Sequence, residues 1–337
     1  MSRPRIHPRQ ALFESHERGT SLPVCDHYAG VEARMRKSLQ IQADMADQPL
    51  FDVTLDLEDG APIGGEHEHA LLVADLIGSR ANRFNRVGAR VHPLHHPRFA
   101  DDVHALLRFA GHRIAYLMVP KVSSARQLQI AVDLVERARR EHGVSRPVPV
   151  HALIETHGAL QDVTRIAANP AIESLSFGLM DFVSSHRGAI PAAGMTAQGQ
   201  FTHPLVLRAK LDIAAACHAA CKTPSHCVVT EFSDTRAISH AATRASRELG
   251  YLRMWSIHPN QIQPIVDAFA PVVAEIDTAV EVLMAGQEAS WAPIALRGTL
   301  HDRASYRYYW HVLERAWRTG QPLPAQARLA FFEESSE

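Results

Sequence analysis

The chain has 337 residues, 46% of them hydrophobic, and a formal charge of −1 at neutral pH. This near-neutrality argues against a nucleic-acid binder, which normally carries a basic stripe, and no apolar run approaches the roughly 18 residues of a membrane span. With a mean hydropathy of −0.13, four cysteines and no apolar segment at the start of the chain, a cytoplasmic protein without a secretory signal is expected.

Short apolar runs alternate with longer amphipathic stretches along most of the chain. Strands are predicted at Leu22–Cys25, Phe51–Leu57, Arg86–His92, Tyr116–Val119, Pro149–Ile154, Ser174–Gly178, His226–Val229 and Met254–Ile257. Between them the pattern predicts helices over Val31–Ala46, Glu66–Asn82, Ala100–Ala110, Ser124–His142, Ala159–Ala168, Pro204–Ala220 and Asp234–Leu249. Strict β/α alternation without a Gly-rich phosphate loop after any strand predicts a (β/α)8 TIM-type barrel, an α/β fold, rather than an open doubly wound sheet. Pro259 at a helix start leads into a closing helix that ends near Phe269. The remaining pattern, Val272–Ala289, an irregular Ser290–Leu300 and a helix over Asp302–Arg318, predicts a C-terminal helical extension. The division is thus residues 1–270 for the barrel and 271–337 for an extension or lid that packs on its own barrel or a neighbour's.

In such a fold, residues just after the strands share one rim, the face on which these barrels keep their chemistry. Glu155 follows the fifth strand and Asp181 the sixth. Two convergent carboxylates suit a hard cation that keeps waters and takes oxygen-rich ligands, Mg²⁺ or Mn²⁺; the alternative is two unrelated strand-end acids. Asp56, Glu58, Asp59, Arg90, His92, Lys121, Glu231 and His258 fall on the same rim. Asp56 or Asp59 could equally tether Arg90 or Lys121. The histidines are scattered, and Cys217, His218, Cys221, His226 and Cys227 lack the spacing of a closed zinc site, so buried cysteines are expected there.

Six segments carry a resemblance. Asp56-Leu57-Glu58-Asp59-Gly60, Arg90-Val91-His92-Pro93-Leu94, Val119-Pro120-Lys121-Val122, Ile154-Glu155-Thr156-His157-Gly158, Phe177-Gly178-Leu179-Met180-Asp181 and Ile257-His258-Pro259-Asn260-Gln261-Ile262 occur in this order. Together they resemble the citrate lyase β-subunit-like branch of the HpcH/HpaI aldolase superfamily, nearest to malyl-CoA and citramalyl-CoA lyase-like members. The resemblance implies a homo-oligomer, a trimer or a dimer of trimers, with Mg²⁺ on Glu155 and Asp181. It implies carbon–carbon lyase chemistry on a β-hydroxyacyl-CoA, with Arg90 on the reacting oxygens, Lys121 on the substrate, and Glu58 and Asp59 among the catalytic group. The tail segment Arg297-Gly298-Thr299-Leu300-His301-Asp302 resembles one whose last Asp serves as acid/base, in its own barrel or a neighbour's. Asp302 also suits a helix N-cap.

The chain departs from the pattern at its opening, where Leu22–Tyr28 lacks the usual P-G, and at His92, His157 and Ser184–Gly188. CoA thioester and free keto acid therefore both stand as substrates. A class II aldolase for free 2-keto-4-hydroxy acids and a catalytically silent lyase-complex paralogue are the rival readings.

Overall fold

The computed structural model describes residues 6–14, 22–46 and 48–333. Eight parallel strands close into a barrel: β1 Cys25–Ala29, β2 Phe51–Asp56, β3 Val87–Arg90, β4 Ile114–Val119, β5 Val150–Ile154, β6 Ile172–Phe177, β7 Thr223–His226 and β8 Arg253–Ser256. Each pairs with its successor, and β1 also pairs with β8, Cys25 opposite Met254. Helices follow the strands, so both strand faces are buried; Val53, Leu55, Val87, Leu117 and Ala152 are fully enclosed. Burying each such side chain contributes roughly 1.5–3 kcal/mol for Val or Leu, which is why these runs read as apolar. Helix starts are fixed by caps: Ser124 Oγ accepts the Gln127 N–H at 3.2 Å, and Asp234 Oδ1 accepts those of Arg236 and Ala237 at 3.0 and 3.1 Å. Among the described residues no helix is long and apolar enough to cross a membrane.

Two strands lie away from their predicted places, for one reason. The apolar pattern predicts Leu22–Cys25 and His226–Val229, but the strands are Cys25–Ala29 and Thr223–His226. Both contain polar residues that look like loop in sequence and are buried in the fold. Asp26 and Asp52 pair with Arg253 inside the barrel, at 3.0 and 2.5 Å. Arg86 closes on Asp52 at 2.7 and 2.6 Å, and Thr54 and Tyr116 donate to Asp26 Oδ1 at 2.7 and 3.1 Å. Burial pushes the Asp52 carboxyl up, and the two guanidinium groups outweigh it and hold it low.

The predicted helix Ala159–Ala168 is two short helices, His157–Gln161 and Val163–Ala167. They part at Asp162, whose carboxylate accepts the Ala125 N–H at 2.9 Å.

The described residues divide into two compact units, Thr20–Ala268 and a second that joins the segment up to Gly19 to Phe269–Glu337. The N-terminal helix Pro8–Leu12, assigned to the barrel by its place in sequence, therefore belongs with the C-terminal elements. Leu12 and Phe13 pack with Ile276, Tyr306, Trp310 and Leu313, Arg9 Nε donates to Glu314 at 2.8 Å, and the Leu12 carbonyl accepts from Arg303 and Arg307. In the segment expected to be irregular, β9 Ile294–Leu296 and β10 Thr299–His301 form a hairpin. Arg297 and Gly298, both at positive φ (49° and 79°), make its two-residue turn.

One buried lysine gives a stability prediction. Lys210 Nζ donates to Gln200 Oε1 at 2.7 Å, 3.9 Å from the Phe201 ring centre. Burial lowers its pKa from 10.5 to about 8. A lysine depressed on folding contributes stability that is complete above pH 10.5 and is lost as pH falls toward 8. Relative to Lys210→Met, the wild-type melting temperature should therefore rise between pH 8 and 10.5, and the variant should be the more stable by about 1–3 kcal/mol at pH 7. Parallel melting curves for the two proteins across that window would contradict this.

Candidate active site

Glu155 stands directly after β5 and is 3% exposed. Lys121, after β4, adopts a positive φ of 49°, and its backbone N–H donates to Glu155 Oε1 at 2.6 Å. Gly178, after β6, is required here: a Cβ on it would lie 2.3 Å from Glu155 Oε2. Asp181 follows in the first turn of the helix Leu179–Ser184. Burial, and then the Asp181 charge, raise the Glu155 pKa to about 8, against the opposing pull of the Lys121 N–H and Arg90. The two sequence-predicted metal ligands thus lie close enough to repel each other.

Neither acid has an ion-pair partner among the described residues. Two mutually repelling carboxylates without a cationic partner fit a divalent cation, and all-oxygen donors fit one that keeps much of its water, as Mg²⁺ does. Among the described residues no group of three or more His, Cys, Asp or Glu is arranged to hold a metal. Of the cysteines in the zinc-like segment, Cys217 and Cys227 are buried and Cys221 is exposed.

Beside the pair runs a chain of charges. Asp56 takes Arg90 in a two-pronged bond, Nε to Oδ1 at 2.7 Å and Nη2 to Oδ2 at 2.5 Å, and is itself capped by the Glu58 and Gly60 N–H groups at 3.0 and 2.8 Å. Arg90 Nη1 also meets Glu58 at 3.2 Å. Lys121 Nζ bonds Glu58 and reaches Asp59 at 3.0 Å. Asp56 tethers Arg90, and both Glu58 and Asp59 engage Lys121. Burial disfavours the charged guanidinium, but Asp56 and Glu58 hold the Arg90 pKa well above its usual value. Burial likewise opposes the Lys121 charge, and its two carboxylate partners raise its pKa. Burial leaves the Glu58 carboxyl raised despite both cations.

Other rim residues are structurally employed. Glu231 accepts the Ala197 N–H at 2.9 Å, and His258 caps the turn after β8 and stacks on Phe232. His92 bonds Asp102 through Nδ1 at 2.7 Å and lies flat on His96. The unexpected His157 and Ser184–Gly188 meet each other: His157 Nε2 is 3.2 Å from Ser185 Oγ, and the His157 and His186 rings are 4.5 Å apart. Asp302, in the second unit, is the N-cap of the helix Arg303–Arg318 and accepts the Ala304 and Ser305 N–H groups at 3.0 and 3.3 Å.

At the opening of the chain β1 runs from Cys25 to Ala29 and is followed by Gly30, and no Pro-Gly pair stands there. A Cβ on Gly30 would fall 1.8 Å from the Gly60 carbonyl oxygen, so the β1 and β2 loops touch only because both are backbone there. Sequence reasoning also missed Tyr28 and Trp255, which stack at 4.3 Å inside the barrel. Each lies two residues after a barrel-facing residue, Asp26 or Arg253, and so shares its face, but that face is set only by barrel closure.

The HpcH/HpaI aldolase/citrate lyase family profile matches residues 40–259. The chain is 52% identical to a citrate lyase of known structure from Burkholderia xenovorans LB400, covering 97% of this chain and 99% of that one with a TM-score of 0.82. It is 29% identical to the L-malyl-CoA/beta-methylmalyl-CoA lyase of Cereibacter sphaeroides over 76% of this chain and 84% of that one. It shares its fold (TM-score 0.64, 22% identity, 88% of this chain and 99% of that one) with Mycobacterium tuberculosis CitE, solved with magnesium, acetoacetate and coenzyme A. The barrel, the paired acids and these likenesses agree: the chain belongs to the HpcH/HpaI aldolase/citrate lyase family and is a carbon–carbon lyase.

Proposed function

We propose that this protein is a Mg²⁺-dependent lyase that splits a β-hydroxyacyl-CoA of the malyl, citramalyl or citryl type into an acyl-CoA and a keto acid. The observation that carries this is the uncompensated Glu155–Asp181 pair beside Arg90 at the C-terminal ends of the strands. A Mg²⁺ on the two acids would polarise the substrate's hydroxyl or keto oxygen and orient its carboxylate, and Mn²⁺, with the same preference for oxygen, would substitute.

Cleavage removes the proton of the substrate hydroxyl, turns that carbon into a carbonyl (an aldehyde from malyl-CoA, a ketone from the others), and leaves the electron pair of the broken C–C bond on a thioester enolate, which takes up a proton to give the acyl-CoA. Arg90, held by Asp56 and Glu58, supplies a fixed positive charge for oxygens that become more negative. Lys121 positions Glu58 and Asp59 through its ammonium and Glu155 through its backbone N–H, and its charge is available to a substrate carboxylate. Asp302 is the acid/base of this proposal, for its own barrel or for that of a neighbour within a homo-oligomer, trimeric or hexameric. Four unpaired cysteines suit a reducing cytoplasm.

The test is a cleavage assay on malyl-, citramalyl- and citryl-CoA and on the corresponding free acids. Thioester cleavage that stops with a chelator and restarts with Mg²⁺ is expected. Equal turnover of free 2-keto-4-hydroxy acids would point instead to a class II aldolase, and absence of both activities to a silent paralogue.

A further inference from the structure

Directly below the charged rim lies an aromatic layer that the proposed chemistry has not used. Tyr28 on β1 and Trp255 on β8 stack at 4.3 Å, 24° from parallel. With Met118, Leu153 and Val228 they form a small apolar cluster separate from the rest of the core. The Arg90 guanidinium carbon lies 5.5 Å from the Tyr28 ring centre, and Leu153 lies two residues before Glu155. The layer is therefore adjacent to the anion-binding side of the site.

Its polar ends are anomalous. Tyr28 is 8% and Trp255 7% exposed, yet neither the Tyr28 hydroxyl nor the Trp255 Nε1–H has a hydrogen-bond partner among the described residues. Buried polar groups are almost always paired, because an unmet donor loses its water bonds without replacement. The still more deeply buried Tyr116 and Tyr251 hydroxyls, by contrast, donate to Asp26 and to the Lys210 carbonyl. Burial raises the Tyr28 pKa well above its usual value, so the hydroxyl keeps its proton and remains a donor. An indole N–H can only donate. Neutral donors beside a guanidinium make a recognition surface for an anion rather than a cation.

We propose that the Tyr28 hydroxyl, with the Trp255 N–H beside it, donates a hydrogen bond to the carboxylate of the keto-acid half of the substrate, and so determines affinity for that half. This rests on the proposed function for the substrate class. Tyr28 is a specificity residue here, distinct from the acids that carry the metal.

Tyr28→Phe keeps the ring, the stack and the volume and deletes only the hydroxyl. Binding of glyoxylate, pyruvate and oxaloacetate in the presence of Mg²⁺, binding of acetyl-CoA, and the melting temperature of the ligand-free protein are measured for wild type and variant. The dissociation constant of the keto acid that wild type binds best should rise about 10- to 100-fold in Tyr28→Phe. Acetyl-CoA affinity should not change, and the melting temperature should equal or exceed that of wild type, since an unmet buried donor has been removed. Unchanged keto-acid affinity would overturn the inference, and so would a lowered melting temperature, which would make the hydroxyl a structural group. If wild type itself bound none of the three keto acids, the proposed function would fail and the inference with it. If it bound keto acids but not acetyl-CoA, only the thioester part of that function would fail.

Discussion

Glu155→Gln should lose about three orders of magnitude in kcat while its metal-free form melts at or above the wild-type temperature. The first half follows from the chemistry: a bound cation supplies several kcal/mol of charge stabilisation in the transition state, and each 1.36 kcal/mol is tenfold in rate. The second follows from the site's electrostatics. Glu155 is buried against Asp181, and its pKa is raised from 4.5 to about 8. A carboxyl raised on folding contributes stability that is fully present below pH 4.5 and is lost as pH rises toward 8. The amide removes that loss and can still accept the Lys121 N–H. For the same reason Mg²⁺ affinity of the wild type should fall about tenfold per pH unit below pH 8 and level off above it, because the cation must displace the Glu155 proton. Wild-type turnover in the variant would sink the metal assignment.

Arg253→Met should have the opposite signature, a large loss of stability at a residue remote from the rim. Arg253 is fully buried and pairs with both Asp26 and Asp52 at 3.0 and 2.5 Å. Breaking a buried ion pair while leaving its partner in place costs about 3–5 kcal/mol, since the abandoned charge stays dry. In a barrel of this size that lowers the melting temperature by about 10 °C. Adding Asp26→Asn should restore part of the loss, because Asp52 keeps Arg86 and Asp26 no longer carries an unpaired charge. A single variant as stable as wild type would mean that the triad contributes no net stability.

These two residues also mark what a sequence discloses. Glu155 was legible because it closes a mostly apolar run, broken only by His151, and Asp181 because it follows shortly after the next strand. The alternation of runs and amphipathic stretches made the barrel legible before any contact was known. The Arg253 triad was not legible, because its members are joined only by barrel closure, 201 residues apart in the case of Asp52 and Arg253. Polar residues destined for a barrel interior imitate loops, which displaced β1 and β7 and hid Tyr28. The pairing of helix Pro8–Leu12 with the C-terminal elements is another long-range fact with no local signal.

The most direct test of the account is calorimetry of glyoxylate, pyruvate and oxaloacetate with and without Mg²⁺, on wild type and Glu155→Gln. The account predicts that at least one keto acid binds wild type, that binding needs Mg²⁺, and that it is lost in the variant. Keto-acid binding of equal strength without Mg²⁺, or undiminished in Glu155→Gln, would contradict a site organised by a cation on Glu155 and Asp181.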